Sequence, residues 1–261
     1  MFFSDLHIGL KIGGYDFYED HKNILRKLER NSFNGFDLVV IGGDIFHTSK
    51  PSPKEYRLFI EFLESLSIPT LIIHGNHDED KKGNFNALDP IAAFYSKRSN
   101  SDSNILDFSE EEKICVVERP CIVEFEDKKF LMLGHISNVR ANRQFGCDAQ
   151  EVITVMIREG IKTRVDAAFS HLDIVGAKYT DSFFLRGVKL GFTDIDRCSF
   201  PIFNGHIHKY QRMKSNVYIV GSVVPTNIGD SDDKRFLEIE LWYGYKKKEK
   251  RVFCARCSTL N

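Results

Sequence analysis

Five short clusters of histidine, carboxylate and amide residues recur along this sequence: Asp5-Leu6-His7, Gly43-Asp44, Gly75-Asn76-His77-Asp78, His171, and Gly205-His206-Ile207-His208. Imidazole nitrogens, carboxylates and a neutral amide oxygen suit Mn, Fe or Zn, and without clustered thiolates a zinc–sulfur site is not indicated. Seven donors drawn from these clusters exceed what one ion takes from protein while leaving positions open for water. They suit two ions that share a bridging carboxylate, about 3.5–4 Å apart, an arrangement that clamps the attacking and departing oxygens of a phosphoryl centre. Singly, each cluster is weak. Asp-x-His is commonly a turn or cap beside a histidine, and Gly-Gly-Asp is an ordinary turn. Gly-His-x-His says more, because alternate residues of an extended segment face the same side.

Their common placement is the stronger signal. Short apolar runs at 37–42, 70–75, 129–134, 165–170, 200–205 and 216–221 read as buried strands, and each cluster begins where such a run, or the opening apolar residues, ends. In open α/β folds the ligand crevice lies beyond the carboxyl ends of the strands, so the five clusters converge. Gly43, Gly75 and Gly205, each just ahead of a candidate donor, permit sharp exits from the strands. Helical spacing appears at Phe17, His21, Ile24, Leu25 and Leu28, and at Tyr56, Phe59, Phe62, Leu63 and Leu66 behind a starting Pro53. It recurs, less cleanly, at Val152, Val155, Met156 and Ile161. Strands alternating with helices predict a layered α/β sandwich. Residues 96–113 read as a polar connection, followed by a hairpin from KICVVE to CIVEFE across Arg119-Pro120. From residue 226 an acidic turn, FLEIELWYGY and a basic run read as strands added at an edge.

A chain of 261 residues, 42% hydrophobic, has the size for one large α/β domain with a short appendage. Lys+Arg 36 against Asp+Glu 37 is too balanced for a sequence-independent nucleic-acid coat, although bound divalent cations would add positive charge. The opening Met1-Phe2-Phe3-Ser4-Asp5 lacks a basic region ahead of an apolar stretch, and no apolar run is long enough for a membrane span. With six cysteines and no secretory pattern, reduced thiols in a cytoplasm are expected. Cys254 and Cys257 form a lone CxxC, two ligands short of a structural zinc site. His21 belongs to a helix stripe and His74 to a buried strand.

The order DxH, GD, GNHD, H, GHxH resembles the calcineurin-like metallophosphoesterase superfamily over about residues 4–222. Ser4-Asp5-Leu6-His7-Ile8-Gly9, Gly43-Asp44-Ile45-Phe46-His47, Lys50-Pro51-Ser52-Pro53, and Gly221-Ser222 with Pro225 look like the SbcD family of DNA double-strand-break repair nucleases. His171-Leu172-Asp173-Ile174, with Gly176 after it, is similar to phage homologues of that family. The resemblance implies a metallophosphoesterase-type β-sandwich flanked by helices over 1–225, with 226–261 a short, strand-rich stub of a capping domain. It implies one metal site from Asp5, His7 and His208, a second from Asn76, His171 and His206, and Asp44 bridging them. His135 also ends a strand and competes for the fourth cluster; the continuation after His171 matches the family and that after His135 does not. His77 would act as general acid or transition-state stabiliser, oriented by Asp78, with His47 positioning the phosphate or His77.

Two divalent ions are expected, Mn2+ foremost, with Mg2+, Fe2+ or Zn2+ as alternatives. DNA is the implied substrate, in recombination or repair, and an SbcC-like ATPase the implied partner. The sequence is also compatible with a homodimer and, for a phage-encoded chain, with the host cytoplasm. Lys50, Lys54, Arg57, Lys81, Lys82, Arg140 and Arg143 lie near the clusters and could track a phosphate backbone. The competing readings are a small-molecule phosphodiesterase or phosphatase of the same superfamily, and a non-catalytic scaffold, which would be expected to have lost donors.

Overall fold

The computed structural model of the chain describes residues 1–32, 35–95, 104–109, 111–178, 188–226, 234–243 and 251–260. It opens with β1 (Phe2–Phe3), a small ribbon of β2 (Lys11–Ile12) and β3 (Tyr15–Asp16), and helix α1 (Tyr18–Ser32). Then come β4 (Val39–Ile41), α2 (Pro53–Ser65), β5 (Thr70–Ile73) and α3 (Asp89–Tyr95). Strands β6 (Ile105–Phe108), β7 (Ile114–Val117), β8 (Cys121–Phe125) and β9 (Lys128–Leu133) lead into α4 (Asn138–Phe145) and α5 (Ala149–Thr163). The next elements are β10 (Ala167–Ser170), β11 (Asp173–Ile174), β12 (Lys189–Leu190) and α6 (Phe192–Arg197). Last are β13 (Ile202–Asn204), β14 (Gln211–Met213), β15 (Val217–Ile219), β16 (Arg235–Tyr243) and β17 (Arg251–Thr259).

Two sheets carry the site. The first has six strands in the order β17-β16-β1-β4-β5-β7, and the second seven in the order β14-β15-β13-β10-β9-β8-β6. Their inner strands alternate in side-chain direction, as a pleated strand must. Val40, Leu71 and Ile73 of the first sheet and Met132, Phe169 and Phe203 of the second join one buried cluster between the sheets. Phe2 reaches across, its ring 5.3 Å from Phe169 and 6.3 Å from Phe203. On the outer face of the first sheet, Val39, Ile41 and Ile72 pack with Leu58, Phe59, Phe62 and Leu63 of α2. On the outer face of the second, Leu131 and Ala168 pack with Val152, Ile153, Met156 and Ile157 of α5. The result is the predicted α/β sandwich with helices on both outer faces.

Helix α2 illustrates how local sequence sets an element. Ser52 caps it and accepts from the Glu55 amide, the Glu55 carboxylate accepts from the Ser52 amide, and Pro53 begins the first turn. This reciprocal capping satisfies two amides that would otherwise lack intrahelical acceptors. The predicted strands at 37–42, 70–75, 129–134, 165–170, 200–205 and 216–221 correspond to β4, β5, β9, β10, β13 and β15.

Two expectations need correction. The hairpin across Arg119-Pro120 does not form: β7 pairs in parallel with β5 in the first sheet, whereas β8 pairs antiparallel with β9 in the second. Both runs are apolar enough to be inner strands, and residues 118–120 carry the chain from one sheet to the other. The true hairpin is β8–β9, whose turn includes Glu126 in the left-handed region. Within 96–113, expected as a polar connection, Ile105–Phe108 forms β6 on the edge of the second sheet, with Phe108 buried; residues 96–103 and 110 lie outside the described part.

The strands expected after residue 226 do form at an edge. β16 pairs antiparallel with β1, placing Leu237 opposite Phe2, and β17 pairs with β16. Cys254 and Cys257 stand in β17 opposite Glu240 and Leu237. The acidic turn at 229–233 and most of the basic run, 246–250, lie outside the described residues.

Candidate metal centre

The parallel strands β1, β4, β5, β10 and β13 all end on the same side, and the loops leaving them interlock through the main chain. The Asp5 amide donates to the Gly43 carbonyl at 3.0 Å and the His7 amide to the Asp44 carbonyl at 2.9 Å. Of the non-glycine residues with left-handed backbone, four are Asp5 (φ 59°), His7 (46°), Asp44 (50°) and His206 (68°). Such conformations cost roughly 1–3 kcal/mol each and persist where the surroundings over-determine them. The predicted glycines serve in two ways. Gly43 itself takes φ 94° to turn the chain out of β4. Gly75 has no unusual φ; a Cβ there would overlap the Asp44 amide and carboxylate.

The seven candidate donors are brought together in two groups sharing one carboxylate. Asp5, His7, Asp44 and His208 each offer an atom within 4.8 Å of the others, as do Asp44, His171 and His206. His7 Nε2 lies 3.0 Å from His208 Nε2 and 3.7 Å from Asp44 Oδ2. His171 Nε2 lies 3.3 Å from Asp44 Oδ1. Asn76 joins the second group: its Oδ1 stands 2.9 Å from His206 Nδ1 and 3.3 Å from His171 Nε2. Asp5, His7, Asp44 and His171 are buried, while His206 and His208 are 24% and 33% exposed and form the open side.

The far nitrogens of these rings show which atoms face inward. His171 Nδ1 donates to the Gly42 carbonyl at 2.6 Å, and His208 Nδ1 meets the Thr226 hydroxyl at 2.9 Å. His206 Nε2 lies 3.0 Å from the Asp173 carboxylate. In the neutral rings, the form in which imidazole binds a metal, those tautomers leave the lone pairs of His171 Nε2 and His206 Nδ1 facing oxygen acceptors. Asp5 Oδ1 is buried without a hydrogen-bond partner among the described residues, 3.5 Å from His208 Nε2. Acceptors converging on acceptors, with an orphaned buried carboxylate oxygen, suit cations. The donor set therefore fits two ions.

Charges inside the cluster are tightly linked. Burial opposes ionisation of Asp44, yet His171, His7 and His77 outweigh it and hold its carboxyl well below the usual range. Burial likewise opposes charge on His171, but Asp44 and Asp5 prevail and push it up to about 9. His7 is pulled down to about 3 by burial.

His77 sits at the rim. Its Nδ1 contacts the His47 carbonyl at 2.9 Å, its amide donates to Asp44 Oδ1 at 2.8 Å, and its ring stacks on His47 at 5.4 Å. Nitrogens of His7, His47 and His77 lie within 4.8 Å of one another. Asp78 does not orient the His77 ring, contrary to expectation. It is fully buried and accepts from the amides of Ile45, Phe46 and Gly75 at 3.3, 3.0 and 2.9 Å. It thus ties the Asp44 loop to the Asn76 loop; burial, reinforced by Asp44, pushes its carboxyl up to about 7. His135 is outside both donor groups, 3.7 Å from Glu79. The buried His21 ring contacts the Phe17 carbonyl, and His74 is buried, as expected of structural residues. Sequence reasoning gave Asp173 no role; its signal was its place two residues after His171.

The basic residues are less available than their spacing suggested. Arg57 pairs with Glu61 at 2.7 Å, Arg140 lies 3.5 Å from Asp89, and Arg143 donates to the Gly83 carbonyl and Asn84. Lys54 stands over the Tyr18 ring. Lys50, Lys81 and Lys82 are exposed.

Two facing sheets whose strand-end loops surround a shared carboxylate with imidazole and amide donors define a metal-dependent phosphoesterase. The chain belongs to the calcineurin-like phosphoesterase family, whose sequence pattern matches residues 1–210. It is 26% identical over 254 residues to the SbcD component of the nuclease SbcCD of Staphylococcus epidermidis, covering 91% of this chain and 65% of that relative. A shorter match, 40% over 82 residues, is to "DNA double-strand break repair protein Mre11" of Nanoarchaeum equitans, covering 30% of this chain and 23% of that one. The chain thus spans just under two thirds of the first relative's length. Among solved structures, the calcineurin-like phosphoesterase YfkN from Bacillus subtilis shares the fold with a TM-score of 0.50 at 12% identity, over 99% of this chain and 89% of that one. No helix among the described residues is long and apolar enough to cross a membrane.

Proposed function

We propose that this chain is a metal-dependent DNA nuclease of the SbcD type, hydrolysing phosphodiester bonds in recombination or repair with Mn2+ as its working ion. The observation that carries the hydrolytic part is Asp44, whose two oxygens face different donor groups, Oδ2 towards His7 and Oδ1 towards His171. The DNA part rests on the SbcD-like sequence of residues 4–9, 43–47 and 50–53 and on relatives named as a nuclease subunit and a DNA double-strand break repair protein.

When bound, two divalent ions supply Lewis-acid polarisation of the phosphoryl oxygens and an activated water. The chain's own residues do the rest. Asp5, His7, His208 and Asp44 would hold one ion, and Asn76, His171, His206 and Asp44 the other. His77 donates its Nδ1–H to the His47 carbonyl, which leaves Nε2 facing the site; with a proton on both nitrogens it would give the Nε2 proton to the departing oxygen and remain as the neutral ring. His47 braces that ring by stacking. Asp78 keeps the Asp44 and Asn76 loops in register through three amides.

An SbcC-like ATPase, in keeping with the name of the Staphylococcus epidermidis relative, a homodimer and a cytoplasmic setting are further parts of this reading. One observation favours the alternative, a small-molecule phosphodiesterase: four of the seven basic residues that could track a backbone are engaged within the protein. Digestion of labelled single- and double-stranded DNA with Mn2+, beside bis-p-nitrophenyl phosphate, separates the two. The proposal expects Mn-dependent DNA cleavage, strongest on single-stranded or frayed ends, with binding that weakens as salt rises. Hydrolysis of the small diester with no action on any DNA would favour the alternative.

A further inference from the structure

We propose that Asp173 is a positioning residue that fixes the tautomer of His206 and so prepares the Asn76–His171–His206 donor group for its ion. The inference rests on the metal-centre reading but not on the nature of the substrate. A neutral imidazole carries one N–H, and His206 faces an acceptor at each nitrogen: Asp173 Oδ1 at 3.0 Å from Nε2 and Asn76 Oδ1 at 2.9 Å from Nδ1. An ionised carboxylate accepts only, and it accepts more strongly than an amide oxygen. The proton therefore stays on Nε2, and the Nδ1 lone pair is turned towards Asn76, His171 and Asp44.

The other rings lack this device. His171 is anchored by a main-chain carbonyl, and His208 by a threonine hydroxyl that can either give or accept. His7 Nδ1 has no hydrogen-bond partner among the described residues. His206 alone of the four meets a carboxylate at its far nitrogen among the contacts described, and it is also one of the two more exposed rings, where orientation is least constrained by packing.

Asp173 is itself well placed to hold a ring still. It is 6% exposed, its amide donates to the Val188 carbonyl at 3.2 Å, and it pairs in register with Lys189. Leu172 and Ile174 on either side are buried in the core under the second sheet. The main-chain ladder, rather than the metal centre, thus sets where the carboxylate stands.

Stepwise Mn2+ titration of the metal-stripped full chain by calorimetry, with electron paramagnetic resonance of the bound Mn2+, tests the proposal. Asp173→Ala should weaken one of the two binding steps by about 10- to 100-fold, the usual effect of losing a partner behind a metal-binding histidine. The other step should stay as in the unaltered chain, and circular dichroism should show the fold retained. Asp173→Asn, whose amide oxygen still accepts from Nε2–H, should lose less; it carries the test if the alanine variant does not fold. In a His206→Ala background, Asp173→Ala should have no further effect on Mn2+ binding.

Equal weakening of both steps, or full additivity with His206→Ala, would mean a merely structural role and overturn the proposal. So would unchanged binding in a folded Asp173→Ala protein while His206→Ala loses a step. If His206→Ala itself leaves both steps intact, the metal-centre reading fails first and the proposal falls with it.

Discussion

The two sheets contribute unequally to the centre. The first supplies every oxygen donor, Asp5, Asp44 and Asn76, together with His7 and the rim histidines His47 and His77. The second supplies only imidazoles, His171, His206 and His208. The first sheet's loops also carry most of the strained backbone, three of the four left-handed site residues. Neither sheet holds a complete donor group, since each group takes atoms from both. Metal binding by these groups would therefore be coupled to the docking of one sheet on the other, across which the aromatic layer of Phe2, Phe169 and Phe203 packs.

The most severe way to break this comparison is at the one residue both groups share. Asp44→Ala should abolish binding of both ions and all hydrolysis, whereas His208→Ala should spare the group built on Asn76. Metal analysis and Mn2+ titration of the two variants check this, and equal losses would mean that Asp44 is not the shared ligand. Next in size is His77→Ser, which removes a rim group while leaving both donor groups intact. It should keep two ions and DNA binding but lose about 10²–10⁴ in cleavage rate, the usual worth of general acid–base assistance. Loss of an ion would instead place His77 among the ligands.

A third change acts on the docking itself. Phe2→Ala removes a fully buried ring that touches the opposite sheet and should cost about 3–5 kcal/mol of stability in denaturant unfolding. It should also weaken both Mn2+ steps together, and added Mn2+ should recover part of the lost melting temperature. Unchanged Mn2+ affinity would show that the loops alone hold the donors.

The smallest expected effect concerns His135, whose imidazole burial, with His171 adding to it, pulls down to about 4. The unfolded chain takes up that proton near the ordinary value of about 6.5. The contribution of neutral His135 is therefore fully present above pH 6.5 and lost as pH falls towards 4. His135→Gln should accordingly lose less stability than the unaltered chain between pH 7.5 and 4.5, measured by thermal melts at each pH.

Much of this was legible without coordinates because the signals were local. Periodicity and glycine placement located six inner strands, and a Ser-Pro-x-Glu run marked the start of α2 through its own cap. The donor list was legible because all its members share one kind of place, the exit of a strand. What misled was also local. The runs around Arg119-Pro120 look like two halves of a hairpin, but an apolar run carries no mark of which sheet it will join. Asp78 follows His77 in sequence and was assigned to it, while its carboxylate points the other way, to the amides of another loop.

By itself the sequence determined which residues of metal-binding type stand at the strand ends, since residue type and strand period are properties of short segments. Only the tertiary structure decided which candidate donors lie together, that Asp44 stands between the two groups and that Asp173 meets His206. Those relations join residues as far apart as His7 and His208, 201 positions along the chain. They depend on the register and packing of two sheets, which no single segment encodes.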